Sequence, residues 1–244
     1  MKFKSTIVSL MLAWAFATTA QAQFLSGSTV STNNGNLTIH PVAHASFVME
    51  WDGKTIYVDP VGGAALYDGI QRPDLILITD IHGDHLDAAT LTGIAGNARI
   101  IAPVAVNEQL PAALQANTFV LGNGNNVDRM GINIEAIPMY NLTQDRLQFH
   151  DKGRGNGYVV TFGGTRVYIS GDTEDIPEMR NLEDIDVAFV CFNLPYTMTE
   201  SQAASAINAF RPGIVYPYHY RGSDLVLFTS MIDDGIEVRE GAWY

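Results

Sequence analysis

The chain has 244 residues, 47% hydrophobic and 16% charged, with 26 acidic against 14 basic side chains and a formal net charge of −12. That length suits one domain with a sizeable core, and the composition excludes a disordered, collagen-like or coiled-coil protein. The negative charge repels phosphate backbones and argues against nucleic-acid binding, while the single cysteine, Cys191, excludes an intramolecular disulfide and any zinc site built from several thiolates.

Lys2 and Lys4 precede the apolar run 7–17, and Ala20-Gln21-Ala22 supplies a small-residue cleavage signature. The run is about half the roughly 20 residues that span a bilayer. Residues 1–22 therefore read as a secretory signal peptide, and the mature protein as exported, periplasmic or secreted. No second apolar segment is long enough to span, so no membrane span is expected in the mature form. Residues 23–36, rich in Ser, Thr, Asn and Gly, read as a flexible leader, and residues 37–244 as one domain.

Strands are predicted at 37–40, 45–50 and 55–58, with a type I′ hairpin turn at Asp52-Gly53. The segment 74–79 (DLILIT) is a nearly continuous apolar run, the pattern of a strand buried on both faces. A helix from Asp87, a strand at 99–102, a helix over 104–114, a turn at 122–126 and a strand at 132–139 follow. The second half repeats this grammar. A hairpin spans 157–162 and 165–170 around Gly163-Gly164, and a buried strand covers 186–192. Thr199 and Gln202 form a capping box opening a helix to Phe210, and strands at 213–217 and 236–239 flank a last helix near 224–232. Hairpins alternating with strand–helix units in both halves predict two mixed sheets packed face to face with helices on the outer faces.

The chemistry concentrates in Thr79-Asp80-Ile81-His82-Gly83-Asp84-His85, directly after the buried strand. Asp80, His82, Asp84 and His85 are candidate metal ligands on a loop at a strand end, where side chains can converge. Gly83 is expected to let the backbone bend sharply there. Imidazole with carboxylate suits zinc or another borderline divalent ion. Ser170-Gly171-Asp172-Thr173 and Pro217-Tyr218-His219-Tyr220 have the same placement after strands.

In this order the segments resemble the metallo-β-lactamase superfamily. The likeness is greatest to its metal-dependent hydrolases related to ascorbate-phosphate lactonases. Val42-Ala43-His44-Ala45-Ser46-Phe47, Tyr57-Val58-Asp59-Pro60 and Tyr196-Thr197-Met198-Thr199 carry the likeness further. The resemblance implies an α+β fold, a four-layer αββα sandwich with a metal site at one edge of the paired sheets. It implies Asp84, His85 and His219 at one metal position and Asp172 as a carboxylate bridging two. His82 belongs to the other position. There Asp80 stands where the family pattern has a histidine, and Pro138-Met139-Tyr140-Asn141 where it has another. His150, nine residues beyond Asn141, is a candidate replacement. The resemblance also gives Asp84 the catalytic role of ligating and orienting water.

Asp59 is a candidate partner for the far nitrogen of a ligand histidine. His44, Tyr140, Asn141 and Tyr196 are candidates to stand behind the ligands or face the substrate, with aromatic packing the competing reading for the tyrosines. Gly153-x-Gly155-x-Gly157 precedes a strand and so lacks dinucleotide-binding context; it reads as a Gly-rich loop that lets the segment carrying His150 move over the site. Cys191, in an apolar strand, reads as a buried small hydrophobe.

These residues predict an exported hydrolase in which one or two zinc ions, with Mn2+ or Fe2+ as alternatives given the carboxylate at Asp80, activate water against an ester, lactone or phosphodiester bond. The expected partner is a small-molecule substrate; a phosphorylated one requires Lys152, Arg154 or Arg221 to offset the acidic field locally. A non-catalytic metal- or ligand-binding descendant with a degraded first site is the alternative, and an exported β-lactamase a lesser one.

Overall fold

The computed structural model describes residues 27–244; the segment read as a signal peptide lies outside them. Two seven-stranded sheets form in strict chain order. The first holds β1 (Ser28–Thr32), β2 (Gly35–Ala43), β3 (Ser46–Trp51), β4 (Lys54–Val58), β5 (Leu75–Leu77), β6 (Arg99–Ala102) and β7 (Thr118–Val120). The second holds β8 (Asn126–Arg129), β9 (Ile132–Met139), β10 (Gly155–Phe162), β11 (Thr165–Ile169), β12 (Val187–Cys191), β13 (Ile214–Tyr218) and β14 (Glu237–Val238). In each, the first four strands form an antiparallel meander and the last four run parallel.

The meanders turn where small or turn-forming residues accept left-handed backbone. Asp52 and Gly53 have φ of 49° and 69°, and Gly163 and Gly164 have 53° and 91°. Positive φ at both central residues matches the right-handed strand twist, which is why Asp-Gly and Gly-Gly suit these hairpins.

Parallel strands need crossovers, and most of these carry helices. α1 (Ala88–Ile94), α2 (Val104–Gln109) and α3 (Ala112–Gln115) connect strands of the first sheet, and α4 (Pro177–Arg180), α5 (Glu200–Phe210) and α6 (Leu225–Ser230) those of the second. The inner faces of both sheets share one core, in which Phe47 stacks on Phe189 with ring centroids 4.2 Å apart. A separate cluster (Tyr57, Ile76, Ile100, Leu91, Val106 and neighbours) fills the space between the first sheet and its helices. The result is the four-layered sandwich expected.

The details differ from expectation in places. Part of the leader expected at 23–36 is a strand: residues 28–32 pair antiparallel with β2, Val30 opposite Leu37. Its polar composition suits an edge strand with one face to solvent. The helix expected over 104–114 breaks into α2 and α3, since Pro111 cannot donate a backbone hydrogen bond and drives Leu110 to an extended ψ of 146°. β10 begins at Gly155, two residues before the strand start expected at Gly157, so Gly155 is not a loop residue. A Cβ on Gly157 would sit 2.8 Å from the Ser170 carbonyl oxygen and 2.9 Å from that of Ile169, so only glycine lets these backbones meet.

The carboxyl ends of the parallel strands in both sheets converge at one end of the sandwich, where α/β sheets offer their loops to ligands. Two backbone hydrogen bonds tie the sheets together there, Asn156 N to Thr79 O at 2.9 Å and His219 N to His44 O at 3.2 Å.

Candidate metal centre

The loop after β5 folds back on itself through hydrogen bonds from the His85 and Leu86 amides to the His82 carbonyl, at 2.9 and 2.8 Å. Asp87 then caps α1, its carboxylate accepting from the Ala89 and Thr90 amides, and so anchors the loop to a helix. Asp80 and His85 face inward and are fully buried, whereas the side chains of His82 and Asp84 are 40% and 43% exposed. Gly83 departs from expectation. Its φ is not positive and a Cβ there would meet nothing within 4 Å, so the turn does not require glycine.

The loops after β11 and β13 and the turn between β2 and β3 bring the remaining groups to this point. Three sets of potential ligand atoms form, each within 4.8 Å: His44, Asp84 and His219; Asp80, His82 and His150; His85, Asp172 and His219. Asp172 lies between the last two sets. Its Oδ2 is 3.3 Å from both His85 Nε2 and His150 Nε2, and its Oδ1 is 3.4 Å from His219 Nε2. Ligand atoms on one tetrahedral zinc ion, with bonds of roughly 2.1 Å, stand about 3.4 Å apart. His85 Nε2, His150 Nε2 and Asp172 Oδ1 are moreover buried without a hydrogen-bond partner among the described residues. Buried polar atoms are rarely left so, and one cation in each of the last two sets would satisfy them. The residues present fit a metal.

His85, His219 and His150 each have the far nitrogen engaged, which turns the other toward the centre. Asp59 Oδ2 accepts from His85 Nδ1 at 2.8 Å, and the carboxylate is itself held by the Thr79 amide at 2.8 Å and hydroxyl at 2.6 Å. Asn193 Oδ1 accepts from His219 Nδ1 at 3.2 Å, and Asn141 Oδ1 from His150 Nδ1 at 3.3 Å. Asn141 also ties the loop back through its backbone amide, which donates to the His150 carbonyl at 2.9 Å, while its Nδ2 donates to the carbonyls of Arg146 and Tyr196. The asparagine at the position where the family pattern has a histidine thus holds the histidine that reaches the centre from elsewhere. His44 Nδ1 meets the Tyr244 hydroxyl at 2.7 Å, its Nε2 faces Asp84 Oδ2 at 3.3 Å, and its ring lies 3.7 Å from that of His219. His44, Asp59 and His219 all adopt positive φ, 50°, 43° and 49°. Such backbone is uncommon outside glycine and persists where surrounding contacts over-determine it.

Asp80 is held differently. Arg154 Nε donates to its Oδ1 at 3.1 Å and Nη2 to its Oδ2 at 2.9 Å, while His82 Nδ1 reaches Oδ2 at 2.7 Å. The last spacing is that of a hydrogen bond, shorter than a ligand pair.

The charges set one another. Burial pushes Asp172 up, but His219, His85 and His150 outweigh it and hold the carboxyl well below the usual range. Burial pushes His85 down, yet Asp172 and Asp59 on either side hold it well above its ordinary value. Asp84 follows the same logic: His219 and His44 overcome its desolvation and depress it. Asp80 is held at about 2, burial being outweighed by His82, His85 and Arg154.

A cavity of about 420 Å³ opens over the centre, walled by Phe149, Leu194, Tyr196, Asn193 and Arg221 among others. Tyr140 does not line it. Its hydroxyl donates to Glu178 at 2.8 Å and accepts from Lys152 at 3.2 Å, which turns the ring away. The sequence offers Arg154 as a cation for a phosphorylated substrate, whereas it is bound to Asp80; Asn193, Thr79 and Tyr244 are not legible in it as site residues. Their partners are remote in the chain, and nothing local marks them.

Residues 38–219 match the family model described as a beta-lactamase superfamily domain. A UPF0173 metal-dependent hydrolase of Pyrococcus abyssi is 29% identical over 212 residues, covering 81% of this chain and 92% of its own. Among solved structures, an inferred metal-dependent hydrolase of Parabacteroides distasonis superposes with a TM-score of 0.83 at 40% identity, over 91% of this chain and all (100%) of its own. The metallo hydrolase Igni18 of Ignicoccus hospitalis shares the fold, with a TM-score of 0.67 at 23% identity over 84% of this chain and 95% of that one.

Proposed function

The chain belongs to the beta-lactamase superfamily domain family and is a metal-dependent hydrolase of the metallo-β-lactamase fold, and on that premise we propose that it is exported and uses one or two zinc ions to cleave an ester, lactone or phosphodiester bond in a small molecule. The observation that carries this reading is Asp172, buried with Oδ2 3.3 Å from both His85 Nε2 and His150 Nε2, two nitrogens without a hydrogen-bond partner among the described residues.

His85, His219, Asp84 and Asp172 would hold one ion, and His82, His150 and Asp172, with Asp80 adjoining, a second. An ion so held lowers the pKa of its water toward about 7 and polarises the bond under attack. The protein's own part is positioning. Asp59, Asn193 and Asn141 fix the tautomers of His85, His219 and His150. Asp84 Oδ2 is engaged by His44 and His219, at 3.3 and 3.2 Å, while Oδ1 has no hydrogen bond among the described residues. That oxygen would orient an attacking water at the cavity floor. The imidazole-rich donor set favours zinc over harder ions. A mononuclear variant of the same reading is favoured by Arg154, which occupies both oxygens of Asp80.

The test is metal content by plasma mass spectrometry beside turnover of aryl esters, lactones and bis-aryl phosphodiesters. Two equivalents of zinc, falling to about one in His150→Ala, with cleavage abolished in His219→Ala and by chelators, is the expected result. One equivalent indifferent to His150 supports the mononuclear variant. Absence of metal, or cleavage of none of these bonds by metal-loaded protein, overturns the proposal. Export rests on the basic flank, short apolar run and cleavage signature of residues 1–22. N-terminal sequencing of protein secreted by its source cells should begin at Gln23, and a start at Met1 contradicts it.

A further inference from the structure

The three cations near the centre in sequence have different fates. Lys152 Nζ pairs with Glu178 at 2.8 Å and lies over the Tyr140 ring. Arg154 is clamped to Asp80 and to the Phe149 carbonyl. Neither lines the cavity. Arg221 does, and it has no carboxylate within 4 Å among the described residues. Its guanidinium lies 5.3 Å from the centre of the Tyr244 ring. That ring is fixed in turn, edge-on to Tyr220 at 4.9 Å and hydrogen-bonded to His44. A cation on the wall of a cavity without a carboxylate partner among the described residues, in a chain of net charge −12, has its charge left for what enters the cavity.

The other wall has the opposite character. Phe149 and Tyr196 meet edge to face at 5.1 Å, and Leu194 and Tyr196 are 50% and 47% exposed. Apolar surface left open beside a polar centre marks where a ligand's apolar part is covered. Arg221 follows His219 by two residues and Phe149 precedes His150 by one, so both the cation and the apolar surface line the same cavity beside ligand candidates.

Resting on the hydrolase reading above, we propose that the substrate is a small anionic amphiphile, with a carboxylate, sulfate or phosphate seated on Arg221 and a ring-sized apolar body against Phe149, Leu194 and Tyr196. The bond to be cleaved lies between the two, over Asp84 and Asp172. Neutral molecules of the same shape, lacking the charge, bind less well.

The test is calorimetric binding of two probes to the metal-loaded full chain: 3-phenylpropane-1-sulfonate, a weak metal ligand, and the neutral methyl 3-phenylpropyl sulfone. A charge-assisted contact to Arg221 should make the sulfonate bind about 10-fold more tightly. Arg221→Gln should bring the two probes to near equality with sulfone affinity retained, which also reports an intact cavity, and Arg221→Lys should restore part of the preference. Tyr196→Ala should weaken both probes alike. Equal binding of the two by the parent protein, a preference unchanged in Arg221→Gln, or binding of neither probe overturns the proposal. Because no turnover is involved, a preference that depends on Arg221 stands even if the bond classes proposed above are wrong. Turnover without that preference overturns this proposal alone.

Discussion

Arg154 grips Asp80 with two parallel hydrogen bonds across 74 residues of sequence, Nε to Oδ1 at 3.1 Å and Nη2 to Oδ2 at 2.9 Å. A carboxylate replaces the histidine of the family pattern at this position, and a fixed positive charge accompanies it from β10's approach. The pair keeps the loop after β5 attached to the loop that carries His150, since Arg154 Nη2 also donates to the Phe149 carbonyl at 2.6 Å.

Breaking this pair from one side should be costly. Arg154→Met leaves Asp80 buried without its cation, and removal of one partner of a buried pair costs about 3–5 kcal/mol. The double variant Asp80→Asn/Arg154→Met should recover at least half of that loss in urea unfolding of metal-free protein. Additive losses would show that the two residues do not act as a pair.

The same pair has a pH signature. The folded pKa of Asp80, about 2, lies below its ordinary 3.8, so its contribution is present in full above 3.8 and lost as pH falls through about 2. The stability gap between the parent and Arg154→Met, measured by denaturation of metal-free protein, should shrink steadily across that interval. A gap constant down to pH 2 would assign it to lost packing instead.

Metal uptake should release protons. His85 is held above its ordinary 6.5 by Asp172 and Asp59, so in metal-free protein it keeps a proton at neutral pH. The stability this gives the metal-free fold is present below pH 6.5 and fades as pH rises through the raised value. A metal requires the neutral imidazole. Titration calorimetry at about pH 7 in buffers of differing ionisation enthalpy should therefore show proton release, and affinity should rise with pH. Binding without proton release would contradict this protonation state.

Asp59 should matter to the metal without touching it. Asp59→Asn removes the charge behind His85 Nδ1, and loss of such partners typically costs about 10–100-fold in metal affinity. Competition against a chromophoric chelator measures it. Unchanged affinity would reduce Asp59 to a turn residue.

Two glycines separate shape from flexibility. Gly157→Ala drives a Cβ to 2.8 Å from a backbone oxygen that cannot give way, and overpacking of that kind costs about 1–3 kcal/mol. Gly53→Ala meets open space and suffers only its φ of 69°, a cost of about 1 kcal/mol. Thermal melts should rank Gly157→Ala as the less stable.

Where residue type and spacing carry the chemistry, the sequence was legible. The strands at Arg99–Ala102 and Ile132–Met139 fall where their apolar patterns put them, and Thr199 and Gln202 close the capping box at α5. β1, β7 and β8 are not legible in the sequence, because these short edge strands bury almost nothing (no residue of β1 or β7 and only Val127 of β8), so too few apolar positions announce them. The ligand candidates were legible for a related reason. All but His150, which lies in the long loop between β9 and β10, follow an apolar strand or its turn, and a strand's length is encoded locally.

By itself, then, the chain determined two mixed sheets and the residues that crowd one end of them. Only the tertiary structure decided which partner each residue takes. Asp80 meets Arg154, His219 meets Asn193 across 26 residues, and His44 meets Tyr244 across 200. Hydrophobic periodicity repeats over two to four residues and so can be read along the chain. A hydrogen bond between loops depends on the register of whole sheets, which no local stretch of sequence contains.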